Sequence, residues 1–247
     1  MNAPVQPDLT GHVELPWHRG PLASFDTETS GTNPAEDRIV SAALIRPNGE
    51  TLCWMSDVDG VEIPAAATAV HHITTEHARA HGRPAKEVVE EIADALAGEL
   101  HAGSALVVMN APFDLSLLDA ECTRHGVPTV ANRIGAVAPV VDPLVLDRAM
   151  DKYRKGRRNL GSLAAHYSVT LTDAHTADAD AQAALDVALR IAEREERLHV
   201  PARVLHGWQV QWHAKWAAGY EAFLRKSGKP DAVIDGTWPL RPVGGEA

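Results

Sequence analysis

Five residues able to do chemistry together stand in three short stretches. "SFDTETSG" (24–31) carries Asp26 and Glu28 with one residue between them. In an extended strand side chains alternate between faces, so these two carboxylates project the same way. Like charges side by side are destabilising unless a cation lies between them, one is protonated, or both are well solvated. A third acid, Asp114, falls in the first turn of a helix opening at "NAPFD", where the helix dipole alone would favour it. A fourth, Asp180, shares a helical stripe with Ala184, Val187 and Ile191, which turns it toward the interior. A buried carboxylate without a partner is costly, so Asp180 requires a cation, an arginine or a proton. His175 precedes it by five residues, about 140° of helical rotation. The two can meet only if His175 sits on the loop before the helix, which "TDAHTADAD" permits through its capping aspartates and threonines. The chemistry on offer is cation binding by carboxylate oxygens beside an imidazole.

The elements that must position these groups follow from hydrophobic periodicity and turn residues. Strands are expected at 22–27, 39–46 and 51–56, the last two joined by "RPNGE" as an antiparallel hairpin. A short helical region at 64–70 precedes a helix at 84–100, where Val88, Val89, Ile92, Ala95 and Leu96 recur at helical spacing. "ALVVM" (105–109) reads as a short buried strand. It is followed by a helix at 111–125 with Pro112 in its first turn and Gly126 just past its end. A strand at 138–142 and helices at 143–153, 160–166 and 176–198 complete an α/β arrangement with a mixed sheet.

The three motifs FDTETSG, NAPFD and HTADAD, in that order, resemble the DEDDh-type 3'-to-5' exonucleases. This is the family of the proofreading epsilon subunit of bacterial DNA polymerase III, RNase T and oligoribonuclease. The resemblance covers about residues 20–197 and implies a ribonuclease H-like mixed sheet flanked by helices. It maps metal ligands onto Asp26, Glu28, Asp114 and Asp180, and a general base onto His175. It also puts Thr27, Thr29, Gly31, Thr32, His71, Asn110 and Phe113 on the substrate side. Two positions depart from the family pattern: His72 stands where a glycine is usual, and Met109 where many members have a histidine.

Four carboxylates in one pocket would repel at neutral pH. Two Mg2+ or Mn2+ ions resolve this, since hard cations take oxygen ligands. Such a pair activates a water and steadies the leaving oxygen, while an imidazole is suited to accept a proton near neutral pH. The implied reaction is hydrolysis of terminal phosphodiesters at single-stranded or frayed 3' ends, with DNA favoured over RNA. An RNA-trimming enzyme is the alternative within the family, and a silent nucleic-acid-binding module the alternative outside it. The intact set of five residues speaks against the latter.

Bulk properties narrow the classes further. A net charge of −10 argues against a globally basic coat for nucleic acid but leaves room for a local site. The dense run at 152–158 has five cations in seven residues, and beside an exonuclease site it reads as a flexible arm near the incoming phosphate backbone. Cys53 and Cys122 are far apart and form no metal-type spacing, which fits a reducing cytoplasm. Neither a secretion signal nor a membrane span is expected. Residues 1–20 read as an irregular lead-in and 21–198 as the exonuclease domain, with 199–247 as a helical extension and irregular tail. The extension holds four of the six tryptophans. Trp208, Trp212 and Trp216 form a stripe on a helix at 202–225, read as packing against this domain or a protein partner.

Overall fold

The first strand, β1 (Leu22–Thr29), buries both faces: Ala23 and Phe25 are apolar on one, while buried Ser24 and then Asp26 and Glu28 follow Leu22 on the other. It is antiparallel to β2 (Ile39–Ile45), which is antiparallel to β3 (Thr51–Met55). The turn between β2 and β3 closes through Arg46 and Glu50, with Gly49 at φ +84°, a value glycine adopts without strain. On its other side β1 runs parallel to β4 (Ala105–Val107), which runs parallel to β5 (Val140–Val141). The order β3-β2-β1-β4-β5 puts the acid-bearing strand at the centre of a mixed five-stranded sheet. This is the expected α/β architecture, in a computed structural model that describes residues 14–172 and 174–241.

Helices cover both faces. Alternation along β1 sends Ala23 and Phe25 into a core shared with α3 (Ala85–His101) and α4 (Ala111–His125). The opposite face packs under α8 (Ala177–Arg194), where Ser24 Oγ donates to the carbonyl of Ala181 at 2.7 Å. Asp26 and Glu28 share the parity of Ser24 and therefore face α8. That second core includes Val107, Val141, Val187 and Ile191, together with residues of α6 (Pro143–Met150) and α7 (Leu160–Tyr167).

The structure departs from the sequence expectations in instructive places. Three short helices lie in the connections: α1 (Ala65–His71), and the unexpected α2 (Thr75–His81) and α5 (Val130–Ile134). The last two are capped by Thr74 and Thr129, signals too brief to carry a periodicity. β4 ends at Val107 and β5 spans two residues, shorter than expected, because both chains leave the sheet toward helix starts. α8 stops at Arg194, with a 3₁₀ turn following at Glu196–Leu198.

The lead-in is docked where it is described. Trp17 is 1% exposed, and its indole donates to the carbonyl of Leu198 at 3.0 Å. The first thirteen residues of the expected lead-in, and the last six of the expected tail, lie outside the described residues.

The extension begins with α9 (Ala202–Lys226), which lies against β5, the outer strand of the sheet. An outer strand presents unpaired backbone groups. Here side chains of α9 take the place of a sixth strand. His206 Nδ1 accepts from the Val140 amide at 3.1 Å, Gln209 Oε1 accepts from the Asp142 amide at 2.7 Å, and Gln209 Nε2 donates to the Val140 carbonyl at 2.9 Å. The tail then returns across the fold, burying Trp238, whose indole donates to Asp142 at 3.2 Å.

Candidate active site

The carboxyl end of β1 delivers two acids to one face, and the start of α8 brings a third. Carboxylate oxygens of Asp26, Glu28 and Asp180 lie within 4.8 Å of one another, the arrangement a hard cation requires. Asp114 approaches from the other layer, at the N-terminus of α4. The intervening β1 residue holds it, since Thr27 Oγ1 donates to Asp114 Oδ1 at 2.6 Å. One strand thus positions all four: its even residues meet α8 and its odd residue reaches α4. Thr27, read as a substrate contact, has its hydroxyl committed to this internal bond.

Without a counter-charge the cluster is electrostatically unfavourable. Burial pushes Asp26 well above the ordinary carboxylate range, and the charges of Asp114, Asp180 and Glu28 push it further. Glu28 is raised to about 7 by burial, then by Asp180 and Asp114. Asp114 is also raised to about 7 by burial, against the opposing bond from Thr27. Asp180 is raised by burial and held down in part by the His175 amide, 3.4 Å from Oδ1. Four acids kept from ionising by burial, two of them also by the charges of the others, fit a cationic occupant, and no arginine reaches them by ion pair among the described residues.

His175 stands on the loop before α8, as its rotation relative to Asp180 demanded. Its φ of +72° is left-handed, an unusual conformation for a residue with a side chain. The bend lets its amide turn back to Asp180 and leaves the imidazole exposed.

The second ring of expected residues is mixed. Asn110 is exposed and left-handed at the cap of α4, and Phe113 is half-buried in the next turn. The amides of Asn110 and Ala111 are fixed by buried Asp142, each at 3.0 Å. Asp142 therefore sets the entry of α4 and with it Asp114, a role the sequence reading missed, although an acid before Pro143 is a capping signal. Thr29 Oγ1 donates to the Gly31 carbonyl at 2.6 Å, and Thr32 is exposed. Gly31 has an internal reason to lack a side chain: a Cβ there would lie 2.5 Å from the Asp37 carboxylate, which Ser30 and the Asn33 amide hold in place.

His71 is buried at 5% exposure, with Nδ1 accepting from the Ile73 amide at 3.1 Å. Burial lowers its pKa, against the opposing influence of the Thr29 backbone, so it is neutral at pH 7 with its proton on Nε2. The neighbouring His72 has φ +61°, so the glycine usual at this place answers a left-handed backbone. A side chain in that conformation costs roughly 1–2 kcal/mol, offset in part by glycine's greater freedom when unfolded. His72→Gly should stabilise the fold by about 1 kcal/mol, read as a rise of roughly 2–4 °C in thermal midpoint. An unchanged or lower midpoint would contradict that account.

The basic run does not form a free arm. Arg154 and Arg158 both pair with Asp147, a fully buried acid on α6, and Tyr167 Oη donates to it at 2.9 Å. Two of the five cations thus neutralise a buried charge, whose partners cannot leave without large cost. Lys152, Lys155 and Arg157 remain exposed.

Comparison with known proteins agrees with this geometry. The family model described as Exonuclease (RNase_T) matches residues 24–188. A PolC-type DNA polymerase III of Lacticaseibacillus paracasei is 28% identical over 162 residues, covering 64% of this chain and 10% of that protein. The corresponding protein of Streptococcus sanguinis is 27% identical over 180 residues, covering 72% and 11%. The chain thus spans about a tenth of the length of these relatives. E. coli exonuclease I in complex with a dT13 oligonucleotide shares the fold, with a TM-score of 0.63 and 22% identity. That match covers 73% of this chain and 42% of the other. Exonuclease I from Methylocaldum szegediense gives a TM-score of 0.61 and 23% identity, over 72% and 42%. With the family match running from the strand of the paired acids to well into α8, this chain belongs to the exonuclease family.

Proposed function

We propose that the chain is a metal-dependent 3'-to-5' exonuclease that removes nucleoside monophosphates from single-stranded or frayed DNA ends, using two Mg2+ or Mn2+ ions. The observation that carries the reading is the convergence of Asp26, Glu28 and Asp180 on one point, with all three carboxyls raised by burial and those of Asp26 and Glu28 raised further by neighbouring acids. Asp114, steered by Thr27, would complete the ligand set. The preference for DNA rests on the polymerase relatives and on the oligonucleotide bound to the structural neighbour.

Bound divalent cations would supply the positive charge that makes a water acidic and offsets charge on the leaving oxygen. The chain's own residues do the rest. The carboxylates fix the place of that charge, and His175, exposed beside Asp180, takes the proton from the attacking water. Buried His71 would support the Thr29 backbone beside which the terminal nucleotide lies. Asn110 and Phe113 present an amide and a ring face beside Asp114. Thr29, Gly31 and Thr32 shape the backbone that the 3' end approaches, and Thr27 acts through Asp114. The catalytic unit is residues 21–198. Two free cysteines, Cys122 buried, suit a reducing cytoplasm, and no helix among the described residues is long and apolar enough to cross a membrane.

Two measurements test the proposal. End-labelled single-stranded DNA and RNA, incubated with Mg2+, Mn2+ or chelator, should give metal-dependent mononucleotides, faster from DNA. Preference for RNA would favour the trimming alternative, and no product from either would end the exonuclease reading. The second measurement is thermal. Acids whose folded pKa is raised make the folded state hold more protons than the unfolded one. In chelator, stability should therefore fall as pH rises from about 4 through about 7, the window set by the ordinary carboxylate values and those of Glu28 and Asp114. Divalent cations bind the ionised cluster, so their stabilising shift should be larger at pH 8 than at pH 5.5. Equal shifts at both pH values would contradict the metal assignment.

A further inference from the structure

The tryptophan stripe of α9 continues past the point where it packs. Trp208 and Trp212 lie against the second core, and Trp212 touches the first as well. Trp216 is covered on one face by Arg148 of α6, whose guanidinium carbon is 3.6 Å from the ring centroid. From there the stripe leaves the protein. Tyr220 stacks on Trp216 with centroids 5.5 Å apart and an interplanar angle of 15°, and Phe223 follows Tyr220 at 6.3 Å and again 15°. Tyr220 is 41% and Phe223 61% exposed, an unusual use of two large aromatic residues in successive turns. Gly219 lies between Trp216 and Phe223 on this side of the helix, with open space where a Cβ would stand.

The charge around this ladder is opposite to that of the molecule. Residues 202–238, α9 and the tail segment folded back on it, contain five cations and three acids, a small positive excess in a chain of net charge −10. Glu221, the acid on the helix, is paired with Arg225, leaving Arg203, Lys215, Lys226 and Lys229 exposed. Lys226 follows Phe223 by three residues and so continues the stripe. The ladder also connects to the active site through contacts already described. Asp142 fixes the amides that open α4 and receives the indole of Trp238, and α6 leads from Asp142 to Arg148 beneath Trp216. The exposed cations of the 152–158 loop follow α6 directly.

We propose that the exposed rings of Tyr220 and Phe223, anchored by Trp216 and Arg148, form a stacking track for single-stranded nucleic acid upstream of the nucleotide being removed, with Lys226, Lys229 and the exposed Lys152, Lys155 and Arg157 facing its phosphates. The proposal rests on the exonuclease reading for its polarity, but not for its test. Aromatic faces accept any base, and flanking cations supply the sequence-independent attraction to phosphate. An acidic protein partner is the competing occupant, and the measurement separates the two.

The test compares wild-type protein with the Tyr220→Ala/Phe223→Ala double variant and with Tyr220→Phe. Fluorescein-labelled dT20 is bound in chelator and followed by anisotropy, so that no cleavage intervenes. The double variant should bind at least about tenfold more weakly, the loss expected for one or more base stacks, while Tyr220→Phe should bind as wild type. Hydrolysis of the p-nitrophenyl ester of thymidine monophosphate with Mn2+, which reaches only the catalytic centre, should be equal in all three. Failure of wild type to bind dT20, or equal binding by the double variant, overturns the track. A double variant that loses self-association in sedimentation while keeping its dT20 affinity also overturns it, in favour of a protein interface. Wild-type protein that binds dT20 but hydrolyses neither DNA nor the ester sinks the exonuclease reading instead, and the anisotropy comparison still decides the track.

Discussion

Replacing Asp26 with asparagine is expected to lower hydrolysis of single-stranded DNA by about three orders of magnitude or more while raising the thermal midpoint of the chelator-treated protein at pH 8. The loss follows from the position of Asp26 among the oxygens of Glu28 and Asp180. Removing one anionic ligand weakens the hold on a cation whose charge stabilisation amounts to several kcal/mol, and each 1.36 kcal/mol is about tenfold in rate. The gain has the same origin with opposite sign. Asp26 is raised well above the ordinary carboxylate range because burial and three neighbouring carboxylates oppose its ionisation. An amide of the same shape removes that repulsion. Chelator-sensitive turnover at the wild-type rate would refute the metal assignment, and a lower midpoint in chelator would refute the electrostatic account.

The second large effect concerns His175. Substitution by asparagine should reduce turnover by roughly 10²–10⁴-fold, the usual contribution of a positioned general base. Cation-dependent stabilisation should persist, because the ligands are untouched. Asparagine is the informative replacement. At φ +72° most residues are strained, whereas asparagine tolerates left-handed backbone and keeps the loop in place. The His175 amide would still reach Asp180, so any change in rate belongs to the imidazole. Wild-type turnover in His175→Asn would remove this residue from the mechanism, and loss of the cation-dependent shift would recast it as a structural support.

What could be read in the sequence was whatever a local period encodes. Alternation by two predicted that Asp26 and Glu28 share a face, and the 3.6 period put Asp180 in line with Ala184, Val187 and Ile191, all of them buried on α8. The rotation between His175 and Asp180 required a loop, and the structure has one. What escaped depends on contacts between distant elements. The Thr27 bond to Asp114 spans 87 positions and exists only because β1 and the start of α4 meet at one sheet edge. The glycine at 31 is explained by Asp37, reached through a loop without periodicity. The basic run looked solvent-facing because sequence charge alone does not reveal its buried counter-ion. Asp147 sits three residues after Leu144 and one after Leu146, a placement that could have marked it as interior. His72 was noticed only as a departure from the family, and its positive φ gives the departure a physical meaning.

The hydrogen bonds from His206 and Gln209 to β5 have a bearing on solubility as well as on architecture. A mixed sheet whose parallel side ends in a bare strand of valines invites a second molecule to add its own strand there, and growth of that kind does not terminate by itself. Gln209, with no exposure at all, acts as a stopper for this growth. A chain cut before Ala202 would keep its acids and its histidine yet lose the stopper. Such a fragment should sediment as polydisperse aggregates, whereas the full chain should remain a discrete species. The helix that presents aromatic rings on one side therefore keeps, on its other side, the sheet from becoming a fibre.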